Sequence, residues 1–309
     1  MRPSPSRRRS RSSPVYDQIA SNKLRSAALI VVFVLLVALV GYVFGQATDW
    51  GYLGLIAALV VAFVMAWGSY WYSDRIVLSI SRARPVDRDV EPYLVNTIEG
   101  LAIAAGLPVP KAYVIDDPTP NAFATGRNPE NAAIAVTTGL VERLSRQELE
   151  GVIAHELAHV KNYDTLVQTL AAVLAGTVTL VSEWMLRSFW WGGGRRRNNE
   201  SGQFGAIMLV VAIALALLAP VAAVLIQMAI SRKREYLADA SAAMLTRYPP
   251  GLAGALRKIA SDPGQLRVAN KATESLYIVN PLKHRRSGMN ALFNTHPPIE
   301  DRIARLEAM

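Results

Sequence analysis

The chain contains no cysteine among its 309 residues. A protein without cysteine forms no disulfide, offers no thiolate to a metal ion and has no cysteine nucleophile. Histidine is also scarce, with four in the whole chain. Any metal site that this chain builds must therefore rely on imidazole and oxygen ligands.

Two of the four histidines lie in one short motif, His155-Glu156-Leu157-Ala158-His159. Residues four apart lie on the same face of an α-helix, so both imidazoles can reach one metal ion. Zinc binds imidazole nitrogen readily, and the Glu156 carboxylate would lie where it can take a proton from the attacking water. The alternative is a pair of solvent-facing histidines on an amphipathic helix. Apolar neighbours favour a buried helix and hence the metal site: Val152, Ile153, Ala154, Leu157, Ala158 and Val160.

Charged residues are absent from four long apolar stretches of the chain. Two of them, 27–48 and 50–73, exceed the roughly 20 residues that cross a bilayer. Two more, 165–182 and 204–231, predict a second pair of membrane helices, with buried core helices of a soluble domain as the alternative. The first stretch is long and has no clear small-residue cleavage site, so we expect an uncleaved multi-pass protein.

Basic residues outnumber acidic ones, 33 to 24, and the net charge is +9. The first 25 residues hold seven basic side chains and one acidic one, together with Ser and Pro, which predicts a disordered basic tail over 1–25. Such an arm can bind nucleic-acid phosphates. A basic flank before a membrane helix more simply sets topology and contacts anionic lipid, so no nucleic acid is expected as a partner.

The positive-inside rule predicts a cytosolic N-terminus, a membrane hairpin over 26–73 and cytosolic segments over 74–164 and 232–309. The loop of the predicted second hairpin, 165–231, opposes this topology because it is Arg-rich and would lie outside. Either the earlier spans override the charge rule, or this hairpin does not cross the bilayer fully.

Periodicity predicts helices and short strands in the cytosolic segments. The predicted elements are a helix over 91–105 that ends at Gly106, strands over 111–115 and 131–137, and helices that begin at Pro249-Pro250 and Pro297-Pro298. Ser145 and Glu148 fit a capping box at the start of the motif helix. That helix can continue directly into the third apolar stretch.

A catalytic zinc site needs a third protein ligand and an open coordination position. After the fourth apolar stretch, Glu235 and Asp239 are four residues apart and hence on one helical face. Glu235 can bind the metal, while Asp239 can accept the outer N–H of a ligating histidine and so fix its tautomer. The alternative is an exposed, charged helix start in which Glu235 pairs with Lys or Arg.

These blocks together resemble the HtpX family of bacterial membrane zinc endopeptidases, which are related to the CAAX-processing membrane peptidases. The motifs are His155-Glu156-x-x-His159 with Asn162 and Asp164, Arg234-Glu235-Tyr236-x-Ala238-Asp239, Asn121–Gly126, and Thr295-His296-Pro297-Pro298 with Arg302. The two N-terminal apolar stretches complete the resemblance. Four such blocks in this order are far more specific than the His-Glu-x-x-His motif alone.

The resemblance implies one zinc ion per chain and a role for each matched residue. His155, His159 and Glu235 would be the zinc ligands, Glu156 the general base and later the proton donor, and Asp239 the outer partner of a ligand.

Other matched residues have an open alternative. Asn121, Ala122 and Phe123 would form the substrate-binding edge strand, to which an extended peptide adds; an ordinary loop is the alternative. His296 would stabilise the oxyanion, or else cap the final helix. Asp164 is expected to have a structural role at a helix end.

The implied fold is a mainly α integral membrane protein, with about four transmembrane helices and a cytosolic α+β zincin-like (gluzincin) catalytic domain that has a small β-sheet. The implied activity is zinc-dependent endopeptidase cleavage of polypeptides at the cytosolic face of the cell membrane, in quality control of misfolded or damaged membrane proteins. A CAAX-type membrane peptidase is the nearest rival, although such enzymes usually have more spans. A catalytically silent membrane scaffold is the other alternative, and the intact His155, Glu156, His159 and Glu235 argue against it.

Overall fold

The structure is a computed structural model that describes residues 14–47, 50–192, 231–269, 273–281 and 297–309. Within these ranges the helices are α1 (Pro14–Ala47), α2 (Tyr52–Ile80), α3 (Pro92–Ala105), α4 (Thr138–Arg143), α5 (Arg146–Lys161), α6 (Asp164–Gly192), α7 (Arg232–Thr246), α8 (Pro249–Ser261) and α9 (Ile299–Glu307). The strands are β1 (Arg84–Pro85), β2 (Lys111–Ile115), β3 (Ala122–Thr125) and β4 (Ala133–Thr137). The helices and strands predicted from periodicity are present, with β4 beginning two residues later than expected.

Helices α1 and α2 form an antiparallel hairpin that is packed through small residues. A Cβ atom added to Gly41 would lie 2.0 Å from Ala58 Cβ, and one added to Gly54 would lie 2.7 Å from Gly45 Cα. Membrane helices approach closely at small side chains because lipid supplies no hydrophobic force between them. The sequence of this hairpin therefore suits a bilayer.

The outer faces of the hairpin are apolar and exposed. Leu35, Phe63 and Val64 keep between 60% and 68% of their surface exposed, and large exposed apolar faces of this kind suit lipid contact. In the described part of the chain, two helices are long and apolar enough to span a bilayer, Gln18–Tyr42 and Tyr52–Ile80. They overlap the first two predicted spans, and α2 runs beyond residue 73 to Ile80.

The predicted third span is packed inside the protein over its first half. Val167, Ala171 and Leu174 of α6 are buried in a cluster with Leu29 and Phe33 of α1. Helix α6 is 29 residues long, Asp164–Gly192, and the packing described here concerns its apolar part Asp164–Val178. The predicted fourth span, 204–231, lies outside the described residues except for its last one, as do the arginines at 195–197. Four membrane helices are therefore not confirmed.

Two expectations, one about the N-terminal tail and one about the end of the motif helix, are wrong. The tail predicted to be disordered over 1–25 is helical from Pro14, because Asn22 and Ser26 are buried against the rest of the protein; residues 1–13 lie outside the described ranges. The motif helix also does not continue into α6. It ends at Lys161, and Tyr163 has a φ of 59°, a left-handed conformation that interrupts a helix.

The four strands form one mixed sheet in the order β1-β2-β4-β3. β2 and β4 are parallel, whereas β1 and β3 pair antiparallel with their neighbours. The side chains of β4 alternate between two apolar clusters, because successive residues of a strand point to opposite faces. Ile134 and Val136 face the cluster that includes α5, and Ala133 and Ala135 face the cluster that includes α2 and α6. The sheet thus joins the membrane hairpin to the motif helix.

Helix α5 begins with the predicted capping box. Ser145 Oγ accepts from the Glu148 N–H, and the Glu148 carboxylate accepts from the Ser145 N–H at 2.7 Å. All residues from Gly151 to Val160 are buried. A Cβ atom on Gly151 would lie 2.7 Å from the Leu252 backbone nitrogen, so this glycine lets α8 pack against the motif helix.

Replacing Gly151 by Ala should lower the stability of the protein, because the backbone of α8 would have to shift. We expect a loss of about 1–3 kcal/mol in the free energy of unfolding, as for other overpacked cores. Gly100→Ala is the matched control, since Gly100 is helical and has open space around its Cβ position; it should be neutral or slightly stabilising. Thermal unfolding in detergent measures both. Equal melting temperatures for the two variants would contradict this packing.

Candidate metal centre

Two helices bring three potential metal ligands together. His155 and His159 lie on one face of α5, and Glu235 lies in the first turn of α7. The Nε2 atoms of the two histidines are 3.1 Å apart. The Glu235 carboxylate oxygens lie 3.5 Å from His159 Nε2 and 3.8 Å from His155 Nε2. All three side chains are buried.

The geometry of this cluster fits one small divalent ion. The three ligand atoms lie within 4.8 Å of one another. Ligands of a tetrahedral zinc ion, with bonds of about 2.0–2.2 Å, lie roughly 3.3–3.6 Å apart, close to the separations found between these atoms. Two imidazoles and a carboxylate, with no thiolate in the chain, are also a donor set that zinc binds in hydrolytic enzymes.

A carboxylate contacts the outer nitrogen of each histidine. Asp239 Oδ1 is 3.0 Å from His155 Nδ1, and Asp164 Oδ2 is 3.0 Å from His159 Nδ1. When Nδ1 donates its proton to a carboxylate, the Nε2 lone pair is left for a metal. The sequence indicated the Asp239 contact through its spacing from Glu235. For Asp164 the sequence indicated only a role at a helix end. The structure shows that Asp164 also contacts the outer nitrogen of His159.

Arg302 of α9 contacts two carboxylates of the cluster, those of Asp239 and Glu235. Its guanidinium donates to both carboxylate oxygens of Asp239, at 2.7 and 2.9 Å, and to the Ile278 carbonyl at 3.1 Å. It also lies 3.5 Å from a Glu235 oxygen. The sequence motif included Arg302 but predicted no contact for it. Arg302 and Asp239 are 63 positions apart, and local spacing does not predict a contact between such distant residues.

Glu156 lies on the side of the cluster that faces strand β3. The backbone N–H of Ala124 lies close enough to the Glu156 carboxylate to favour the ionised form and lower its pKa. Burial, aided by the charge of Glu235, raises the pKa of Glu156 to about 7, although His159, Ala124 and Arg302 oppose the shift. A carboxyl group with a pKa near neutrality suits both acceptance and donation of a proton.

The two histidines differ in their electrostatic surroundings. Burial lowers the pKa of His155, and its bond to Asp239 offsets only part of the effect. Burial alone would also lower the pKa of His159, but the bond to Asp164 and the charge of Glu235 raise it to about 9. The carboxylates of Asp164 and Glu235 thus both favour a positive charge near His159.

Of the residues predicted to bind substrate, Ala122 and Phe123 lie on β3 and Asn121 directly precedes it; all three already have partners within the chain. Asn121 donates to the Val279 carbonyl and accepts from Ala122 N–H, while Ala122 O accepts from Ile278 N–H at 2.9 Å. Phe123 is buried against the Tyr277 ring, with 5.1 Å between centroids. The β3 residue closest to Glu156 is Ala124, to which the sequence motif assigned no role. Strand alternation could have indicated it, since residues 122 and 124 face the same way.

The other two histidines of the chain lie outside the described residues. His296, the predicted oxyanion helper, lies outside the described residues, and so does His284. The N-cap position of α9 is taken by Pro298.

Comparison with known proteins identifies relatives of this chain. The model of a family described as "Peptidase family M48" matches residues 89–309. A protein named "Protease HtpX homolog" from Dictyoglomus thermophilum is 47% identical over 294 residues, which cover 95% of this chain and 94% of the relative. Proteins of the same name are 46% identical in Streptococcus pneumoniae, over 96% of this chain and 100% of the relative, and 49% identical in Thermococcus sibiricus, over 92% and 94%.

Among solved structures, the crystal structure of S. mikatae Ste24p is similar to this chain at 19% sequence identity and a TM-score of 0.47. The match covers 94% of this chain and 67% of that one.

Replacing Glu235 by Ala should weaken zinc binding by roughly 100-fold or more, because even the loss of an outer partner of a ligand costs 10–100-fold. Glu300→Ala is the control, since Glu300 is exposed on α9 and should leave affinity unchanged. Competition with a chromophoric chelator measures the dissociation constant of each purified protein. If Glu235→Ala and Glu300→Ala bind zinc equally well, Glu235 is not a ligand.

Proposed function

Since this chain belongs to peptidase family M48, and within it to the HtpX proteases, we propose that it is a zinc-dependent endopeptidase with His155, His159 and Glu235 as zinc ligands. Family membership makes it a membrane metalloprotease. The metal, its ligands and the cleavage of internal peptide bonds go beyond that assignment. The convergence of two Nε2 atoms and one carboxylate, all buried, is the observation that carries the proposal.

Each group of the site has a distinct task in peptide hydrolysis. Bound zinc would supply a Lewis acid that polarises the scissile carbonyl and lowers the pKa of water. Glu156 takes a proton from the attacking water and passes it to the leaving amine. The proximity of Glu156 to the ligand cluster and to Ala124 of β3 supports this role.

The surrounding carboxylates keep the imidazoles in a ligating orientation. Asp239 and Asp164 carboxylate oxygens each lie 3.0 Å from an Nδ1 atom, and the two Nε2 atoms lie 3.1 Å apart in the ligand cluster. Arg302 fixes the plane of Asp239 through two hydrogen bonds, a geometry that guanidinium groups form well with carboxylates. The role of His296 in stabilising the oxyanion stays a prediction.

An extended substrate would contact β3 at Ala124, beside Glu156. Asn121, Ala122 and Phe123 remain part of the proposed substrate strand, but a peptide that pairs with Ala122 must first displace the backbone N–H of Ile278. Strand addition of this kind recognises backbone rather than side chains. It therefore suits cleavage of polypeptides with varied sequences.

The site is proposed to lie at the cytosolic face of the cell membrane. Val77 and Leu78, near the end of α2, pack in the same cluster as Phe123 of β3, which keeps the sheet close to the membrane boundary. Basic residues flank the hairpin at both ends, including Lys23, Arg25 and Arg75, as expected for cytosolic ends. Misfolded or damaged membrane proteins are the proposed substrates on family resemblance, because their cytosolic loops would reach this site first.

Replacing Glu156 by Gln should preserve zinc binding and abolish hydrolysis, because the amide has the same shape but accepts no proton. We expect casein cleavage by the detergent-purified protein to fall by roughly 100-fold or more. A chelator present during lysis limits self-cleavage, and zinc is restored before the assay. Glu142→Gln makes the same substitution at an exposed position on α4 and should be fully active.

The outcomes separate the competing functions. Near-native hydrolysis by Glu156→Gln would contradict the proposed mechanism. Bound zinc with no activity in any variant would favour a scaffold. Cleavage confined to prenylated peptides would favour a CAAX-type peptidase.

A further inference from the structure

The first membrane helix reaches the metal centre from outside the segments that supply its ligands. We propose that Asn22 of α1 is a positioning residue for His159 and acts through Asp164. The inference rests on the proposed zinc site, since it takes His159 as a ligand. It adds that the membrane hairpin is part of the machinery that shapes this site.

The side chain of Asn22 is buried and fully engaged. Only 1% of its surface is exposed. Its Nδ2 group donates to the Asn162 carbonyl at 2.8 Å and to Asp164 Oδ1 at 2.7 Å. Its Oδ1 atom accepts from Arg234 Nη1 at 3.3 Å. A buried amide that uses both of its donor hydrogens and its acceptor is held in one orientation.

These bonds fix the carboxylate that contacts His159. Asp164 presents Oδ2 to His159 Nδ1 at 3.0 Å and Oδ1 to Asn22 and Arg234. The terminal torsion of an aspartate is broad and is set by the partners of its oxygens. With Oδ1 held by Asn22, Oδ2 must stay at the imidazole, and the ring keeps its Nε2 atom turned towards the ligand cluster.

Helix α1 also contacts the turn that follows the motif helix, residues 162–164. Asn162 is the C-cap of α5, and the last carbonyls of a helix need partners from outside it. Asn22 supplies one. The next residue, Lys23, places its ammonium group 4.6 Å from the ring centroid of Tyr163, the residue with the left-handed backbone. Two consecutive residues of α1 thus contact three consecutive residues of the turn.

Asn22→Ala should weaken zinc binding by roughly 10–100-fold, as for other outer partners of ligands. It should also lower kcat with little change in KM, because substrate does not touch Asn22. Cobalt(II) bound in place of zinc should show altered visible absorption, since the orientation of His159 changes. The effects of Asn22→Ala and Asp164→Asn on zinc affinity should be non-additive, as expected for two residues that act through one contact.

Ser26→Ala is the matched control. Ser26 is buried on the same helix, but its hydroxyl bonds only to the Asn22 carbonyl within α1 among the contacts of the described residues. It should cause a comparable or smaller loss of stability and leave the zinc dissociation constant and the cobalt spectrum unchanged. Circular dichroism and gel filtration in detergent test the fold of every variant. Asn22→Leu, which keeps the size of the side chain, replaces Asn22→Ala if the latter does not fold, and the same losses are expected of it.

The result that overturns the inference is a folded Asn22 variant with a lower melting temperature but wild-type zinc affinity and a wild-type cobalt spectrum. Asn22 would then be a structural residue only, and the proposed endopeptidase would stand. Absence of zinc binding by the wild-type protein would overturn the proposed function and the inference with it. Weakened zinc binding in the Asn22 variant, coupled to Asp164 and absent in Ser26→Ala, is the supporting result.

Discussion

Two buried carboxylate–imidazole contacts determine how the rest of this structure is arranged. A ligating histidine is useful only when its outer nitrogen has a partner that fixes the tautomer, and here both partners are buried carboxylates that need partners of their own. Asp239 receives Arg302 from the last helix. Asp164 receives Asn22 from the first helix and Arg234 from the helix that carries Glu235. Elements from both ends of the chain therefore meet at one pair of imidazoles.

The sheet and the motif helix connect this centre to the membrane hairpin. β4 is buried on both faces, with α5 against one and α2 and α6 against the other. β3 pairs with this doubly covered strand, and the backbone of its Ala124 lies next to Glu156. Glu156, strand β3 and the three proposed ligands thus have defined relative positions, as the preorganisation of a hydrolytic site requires.

The parts of the site that depend on local spacing could be predicted from the sequence. Four-residue spacing placed His155 beside His159, and the Ser145 capping box fixed where their helix begins. The partners of the two buried aspartates could not be predicted, because local spacing does not show which distant side chain pairs with a given carboxylate. Arg302 and Asp239 are 63 positions apart, and Asn22 and Asp164 are 142 apart.

Composition predicted the structure less well where a segment is buried against the rest of the protein. The basic N-terminal segment was predicted to be disordered. Helix α1 nevertheless begins at Pro14, because Asn22 has buried partners. The third apolar stretch, predicted to be a membrane span, buries Val167, Ala171 and Leu174 against α1, and its crossing of the bilayer stays a prediction. Hydrophobicity indicates burial but does not distinguish lipid from protein as the surroundings.

Zinc-edge anomalous diffraction from crystals of the Glu156→Gln variant, grown with zinc, tests the central claim most directly. The account predicts one anomalous peak per chain, about 2.0–2.2 Å from the Nε2 atoms of His155 and His159 and from the Glu235 carboxylate. A well-ordered site without a peak between these three side chains, or a zinc ion bound elsewhere, would contradict it.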